Sequence, residues 1–197
     1  SICMILLVQE RYKMSISAQI LATVPEKIIQ AAASLKLLVL DVDGVLTDGQ
    51  LFFSEEGEML KAFNIQDGLG IKLLQSAGVQ VGIITGRTSA SLKFRAEELG
   101  ISFITQGRAD KLPVLEERRL LYALELYEIG FLGDDLPDMK CIQQVGLGIC
   151  VANSNIAVAQ LADWQTEKTG GSGAVREVAD LILAAQGKLD QILSRYL

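Results

Sequence analysis

The chain has 197 residues, half of them hydrophobic and 21% charged, which fits one folded domain with a real core and excludes a disordered chain. The net charge of -6 argues against a nucleic-acid partner, which needs a basic face. There is no histidine, so Ser-His-Asp and Cys-His catalysis and histidine metal sites are excluded, and any base or metal ligand must be mainly carboxylate, thiol or amine.

The chain opens on "ICMILLV", too short to span a bilayer and followed at once by "QERYK". No basic segment precedes it and no small-residue cleavage site follows, so it does not read as a signal peptide, and no other run suggests a membrane segment. Residues 1–13 read as an upstream extension, with Met14 the expected natural start. Cys3, Cys141 and Cys150 form no paired spacing and suit a reducing, cytoplasmic setting, with Cys150 expected to be buried. "PEKIIQAAASL" reads as a short helix with Pro25 in its first turn. The division expected is an extension and helix over 1–34 and one domain over 35–197.

From residue 35 onward, short runs rich in Val, Ile and Leu alternate with amphipathic segments. The runs are "LKLLVLDV", "VQVGIIT", "ISFIT", "EIGFLGD" and "GLGICV". They do not alternate polar with apolar, which is the pattern of central parallel strands covered on both faces. The segments between them predict helices over 68–77, 89–99, 111–127, 137–145 and 155–161. Together they give an α/β fold with a doubly wound parallel sheet. One piece breaks the rhythm: "QLFFSEEGEMLKAF" predicts a β-hairpin directly after the first strand. The C-terminal "GAVREVADLILAAQGKLDQIL" predicts a helix, a glycine break and a short helix.

In such sheets ligands bind beyond the carboxyl ends of the strands. There the sequence places Asp41 and Asp43, then Thr85, Gly86 and Arg87, then Asp134 and Asp135, with Asp138 close behind and Lys111 opening a helix. Each has a use in phosphoryl transfer. Asp41 and Asp134 suit a shared hard cation, Mg2+ for a small all-oxygen site. Asp41 can attack phosphorus. Asp43, turned the other way by strand alternation, can protonate the leaving alkoxide and then activate water. Thr85 and nearby backbone N–H groups can bind phosphate oxygens, and Lys111 can neutralise the transferred group. Alone, an Asp-x-Asp pair also fits an acidic surface, "GDD" a turn, "TGR" a helix cap and Lys111 a solvated lysine. The ordered set points to catalysis.

With these residues in place the chain resembles the haloacid dehalogenase-like hydrolases over about 35–193, through "DVDGVLTDG", "ITGR", Lys111 and "GDDLPD". The resemblance implies Asp41 as nucleophile and Asp43 as acid/base. It also implies Mg2+ held by Asp41, Asp134 and the backbone carbonyl of Asp43, with Asp138 in support. "KAFNIQDGLGIK" and "GGSGAVREVADLILAAQGKLD" are similar to the family of 3-deoxy-D-manno-octulosonate (KDO) 8-phosphate phosphatases of lipopolysaccharide biosynthesis. That likeness implies substrate contacts at Asp43, Asn64, Ile65, Gln66, Asp67, Gly68, Lys72, Gly86, Arg87, Arg95 and Lys111. Arg87 and Arg95, eight apart, are expected near one helical face. Lys72 and Arg95 equally suit a solvated helix surface. Gln66 and Ser172 stand where arginine is expected in that family, so a nine-carbon sugar acid 9-phosphate stays the near rival.

The intervals after residues 49 and 85 leave no room for a separate cap domain. The family likeness implies a homotetramer in which the hairpin and the tail reach a neighbouring site. "TGGSGAVRE" then reads as a flexible tail offering Arg176 to that neighbour's substrate, or as a plain loop with Gly173 at a helix N-cap. Two other classes fit some of the residues: a phosphorelay receiver domain, which has no use for an acid/base at Asp43, and a silent scaffold, which has no use for the intact acid–lysine set.

Overall fold

The structure, a computed structural model, describes residues 14–55 and 57–197. The extension expected over residues 1–13 lies outside the described residues. Two helices come first, α1 (Ile16–Leu21) and α2 (Glu26–Ser34). Strand β1 (Leu37–Leu40) leads to a hairpin of β2 (Phe52–Ser54) and β3 (Gly57–Leu60). Then α3 (Ile65–Ser76), β4 (Gln80–Ile84), α4 (Ala90–Leu99), β5 (Phe103–Thr105) and α5 (Leu112–Leu121) alternate. They are followed by β6 (Ile129–Gly133), α6 (Met139–Gln144), β7 (Leu147–Cys150), α7 (Ile156–Leu161) and β8 (Trp164–Gln165). The chain ends on α8 (Ala174–Ala185) and α9 (Leu189–Leu193), with Gly187 in the left-handed region between them.

The main sheet has the order β5-β4-β1-β6-β7-β8, and every pairing is parallel. β1 is therefore central, and all four of its residues are buried. Its side chains alternate between two cores. Leu38 and Leu40 join α3 and α8 residues such as Leu74, Val178 and Ile182 on one face. Leu37 and Val39 join Val114, Leu115 and Ile142 on the other. Burial on both faces explains why this strand reads as a continuous apolar run. α1 and α2, drawn above as part of an extension, add Ile28 and Ala32 to the first core, with Ile20 and Leu21 packed on it.

Several helix boundaries differ from the expected ones. α3 starts three residues before the expected segment, because the Asn64 side chain caps it by accepting from the Gln66 N–H at 2.7 Å. The helix expected over 111–127 stops at Leu121. Ala123 takes a positive φ of 51°, and a separate turn at Leu126–Glu128 carries a Glu125/Glu128 capping box. The one expected over 137–145 begins as a 3-10 turn, Leu136–Asp138. β8 and α1, too short to show a period, were not predicted. Between β1 and β4 the described residues add only the hairpin and α3, and between β4 and β5 only α4, so neither interval carries a cap domain.

Candidate active site

β1, β4 and β6 end side by side, and the chain that leaves each one turns into the same cleft. Asp41 extends the β1–β6 pairing by donating its N–H to the Leu132 carbonyl at 3.0 Å. Thr85 extends β4 towards β5 by donating to the Thr105 carbonyl at 3.0 Å. The cleft is about 270 Å3 and is lined by Asp41, Asp43, Thr85, Gly86, Arg87, Lys111, Asp134 and Asp138, among others. The residues expected for the chemistry are thus brought together.

Its floor is a buried charge network. Lys111 Nζ lies 2.7 Å from Asp41 Oδ1 and 2.6 Å from Asp138 Oδ1, and the three side chains are 3%, 10% and 1% exposed. Asp138 Oδ2 accepts the N–H groups of Asp134 and Asp135 at 3.0 and 3.3 Å. Asp138 therefore fixes both the lysine and the loop that presents Asp134. Burial alone would lower the Lys111 ammonium, but Asp41 and Asp138 outweigh it and raise it, so the amine stays charged.

The acids opposite are destabilised as anions. Burial, then the Asp138 charge, pushes Asp41 up to about 6 despite Lys111. Burial, then Asp41, Asp138 and Asp135, pushes Asp134 up to about 8. Ligand atoms of Asp41, Asp134 and Asp138 lie within 4.8 Å of one another, and Asp134 Oδ1 is buried with no hydrogen-bond partner. An unpaired buried carboxylate oxygen beside two more acids fits a hard divalent cation. Asp138 is held by its lysine and amide partners, so Asp41 and Asp134 are the side chains that fit such an ion. Gly44 keeps this corner open: at φ +93° it turns the chain under Asp134, where a Cβ would sit 2.0 Å from Oδ2.

Asp43 faces the cleft from the other side of Val42. Its Oδ1 pairs with Lys61, which directly follows β3, and its Oδ2 lies 3.9 Å from Arg87 Nε. Lys61 escaped the sequence reading, because a lysine beside an exposed hairpin looks solvated. Thr85 Oγ1 accepts the Arg87 N–H at 3.4 Å, which ties the loop that carries Gly86 and Arg87.

The remaining expected contacts stand elsewhere in this chain. Arg87 precedes the Ser89 N-cap of α4, so it shares no helical face with Arg95; that expectation is corrected. Arg95 donates to Glu98 at 2.8 Å and to the Asn64 carbonyl at 3.4 Å, and Gly68 lies beneath its guanidinium. Ile65, Gln66 and Lys72 are exposed at the start and outer side of α3, apart from the residues that line the cleft.

Asp67 requires a correction too. It is 1% exposed, and its carboxylate accepts the N–H of Arg176 at 2.8 Å and of Gly173 at 3.4 Å. Its side chain therefore secures the start of α8 and does not face the cleft. Asn64 adds a bond from Nδ2 to the Gly171 carbonyl at 3.3 Å. The segment expected as a flexible tail is pinned to its own subunit. Gly171 donates to the Val45 carbonyl, and Gly170 lies so close to Gly44 that a Cβ would sit 1.7 Å from the Gly44 oxygen. Gly173 is the N-cap of α8, and Arg176 pairs with Asp180 within that helix at 2.9 Å.

The sequence profile of the haloacid dehalogenase-like hydrolases matches residues 98–178. The 3-deoxy-D-manno-octulosonate 8-phosphate phosphatase KdsC of Yersinia pestis is 44% identical over 167 residues, 85% of this chain and 89% of the relative. The chain belongs to this family of haloacid dehalogenase-like hydrolases. The enzyme of the same name from Escherichia coli K12 is 42% identical over 164 residues, 83% of this chain and 87% of the relative. The 3-deoxy-D-manno-octulosonate 8-phosphate phosphatase of Moraxella catarrhalis was solved with a magnesium ion, a phosphate ion and KDO. It superposes with a TM-score of 0.85 at 46% identity, covering 87% of this chain and 98% of that one. Family membership makes this chain an enzyme and sets aside the receiver and scaffold readings.

Proposed function

We propose that this chain is a Mg2+-dependent phosphatase that hydrolyses KDO 8-phosphate to KDO and phosphate, a step of lipopolysaccharide biosynthesis. The observation that carries the chemistry is the buried Lys111 clamp on Asp41 and Asp138, with the unpartnered Asp134 oxygen beside it. The names and bound ligands of the relatives support the substrate.

Asp41 attacks phosphorus, and the bond to the sugar oxygen breaks as an aspartyl phosphate forms. Asp43 gives its proton to the departing alkoxide and then takes one from the water that attacks the intermediate. Lys111 neutralises the equatorial oxygens, and Thr85 with the backbone at Gly86 holds the phosphate in line. Asp41, Asp134 and the carbonyl of Asp43 would hold Mg2+, which would supply the charge that lets one anion approach another. Arg87, beside Asp43 at the mouth, suits the substrate's second anionic group.

The same reading includes a homotetramer in which a neighbour covers the open cleft. Phe52, Phe53 and Leu60 on the flap, Ile65 at the start of α3 and Phe94 on α4 are all exposed, Ile65 to 82%. Lys72, and Arg95 and Arg176 once they leave Glu98 and Asp180, are then offered across the interface. A cytoplasmic location agrees with the buried free thiols of Cys141 and Cys150. Among the described residues no helix is long and apolar enough to cross a membrane.

The deciding assay compares KDO 8-phosphate, KDN 9-phosphate and sialic acid 9-phosphate with and without Mg2+. Preference for a nine-carbon acid overturns the substrate and leaves the mechanism. In parallel, Asp41→Asn is expected to lose roughly 10³-fold or more in kcat; near-normal turnover would remove Asp41 as nucleophile. Full activity in a species that light scattering shows to be monomeric would end the shared-site reading.

A further inference from the structure

Lys61 is buried where its neighbours are not. Its side chain is 2% exposed, whereas Leu60 beside it is 46% exposed and Phe53 in the paired strand is 60% exposed. Removing an ammonium from water costs several kcal/mol unless a partner offsets it. Here the partner includes Asp43, a cleft carboxylate that the Lys111 network does not hold. Lys61 meets Asp43 Oδ1 from the root of the hairpin, while Arg87 approaches Oδ2 from the loop after β4. At 3.9 Å, and with a side chain 43% exposed, Arg87 restrains Asp43 only loosely.

We propose that Lys61 is a positioning residue for the hydrolysis: it aims the Asp43 carboxyl at the leaving oxygen and links that aim to the seating of the hairpin. This rests on the phosphatase reading, in which Asp43 moves the protons. A carboxyl on a loop, with no fixed partner, samples several rotamers, and general acid catalysis requires one of them. Because Lys61 follows β3 directly, a hairpin that shifts carries the ammonium with it. A disturbed flap therefore disturbs proton transfer without touching the side chains of Asp41, Lys111 or Asp134.

The test uses full-length Lys61→Met and Lys61→Arg, alone and with Asp43→Asn. Single-turnover phosphorylation rates are measured on KDO 8-phosphate, whose alkoxide needs a proton, and on p-nitrophenyl phosphate, whose phenolate leaves without one. Lys61→Met is expected to lower the alkyl rate about 10- to 100-fold, and the alkyl-to-aryl ratio by about tenfold, with KM for the sugar phosphate nearly constant. Lys61→Arg should recover most of the ratio. In the Asp43→Asn background, Lys61→Met should cost less than about twofold more, since it acts through the group already lost. Equal losses on both substrates, a loss confined to KM, or a further large loss in the Asp43→Asn background would each overturn the proposal. The ratio is internal to each folded sample, so Lys61→Gln, which keeps a polar but uncharged side chain and is expected to lower the ratio as well, decides if Lys61→Met fails to fold. A wild-type enzyme inactive on KDO 8-phosphate would defeat the substrate reading alone, and the ratio is then taken on the alkyl phosphate it does accept.

Discussion

At the floor of the cleft, Lys111, Asp41 and Asp138 hold one another at 2.6–2.7 Å with almost no exposure to water. Across the cleft, the hairpin leaves Phe52, Phe53 and Leu60 between 46% and 60% exposed, and its two strands form a sheet of their own. The floor takes its precision from the ends of three strands in a buried sheet. The hairpin lacks such support, and a two-stranded ribbon in water is marginal by itself. Among the described residues, its root meets the cleft through the buried contact of Lys61 with Asp43. Catalytic charge is thus preset by the fold, whereas closure depends on what covers the flap.

The floor can be broken most sharply at its centre. Lys111→Met should lower kcat by about 10²–10³-fold, read by steady-state phosphate release; a loss below tenfold would mean that the clamp does not act in the reaction. Next in size is Asp67→Ala, which strands the N–H groups at the start of α8. We expect a stability loss of about 1–3 kcal/mol and a Tm drop of roughly 3–10 °C. Activity should fall only in proportion to the unfolded fraction, because Asp67 does not face the cleft.

A smaller effect comes from pH. Asp134 and Asp41 have folded values of about 8 and about 6, above their ordinary value of 3.8. The native state therefore binds protons more tightly than the unfolded chain between those limits. The metal-free protein should lose stability as pH rises from 4 to 8, with most of the Asp41 share gone by 6. Mg2+ should flatten the slope, because it stabilises the ionised pair. A calorimetric Tm that rose with pH in EDTA would contradict this account of the floor.

The smallest expected change lies in the flap. Phe53→Ser in dilute protein should move stability by less than about 0.5 kcal/mol, while light scattering shows weakened assembly. A large stability loss with unchanged assembly would place Phe53 in the core of its own chain.

The floor was legible in the sequence because its acids end apolar runs, and a buried parallel sheet makes strand ends and site coincide. Asp41, Asp43, Thr85, Lys111 and Asp134 needed no long-range information beyond that rule. Lys61 and Asp67 did need it. Nothing local singles out Lys61, and Asp67 resembled a ligand contact, since no local pattern reveals that it meets a helix start more than a hundred residues later. Arg95 and Arg87 were misjudged for a smaller reason: the spacing assumed a helix already running at residue 87, but α4 starts only at Ala90.

The abutment of Gly170 on Gly44 carries a consequence for synthesis. The turn that follows Asp41 is braced by chain made near the end of translation, through Gly170, Gly171 and the α8 start held by Asp67. A nascent chain that has already emerged past β6 holds Asp41, Asp43, Lys111 and Asp134, yet lacks that brace. A chain truncated before Gly170 is therefore expected to keep these acids and lose the brace on the turn beside them.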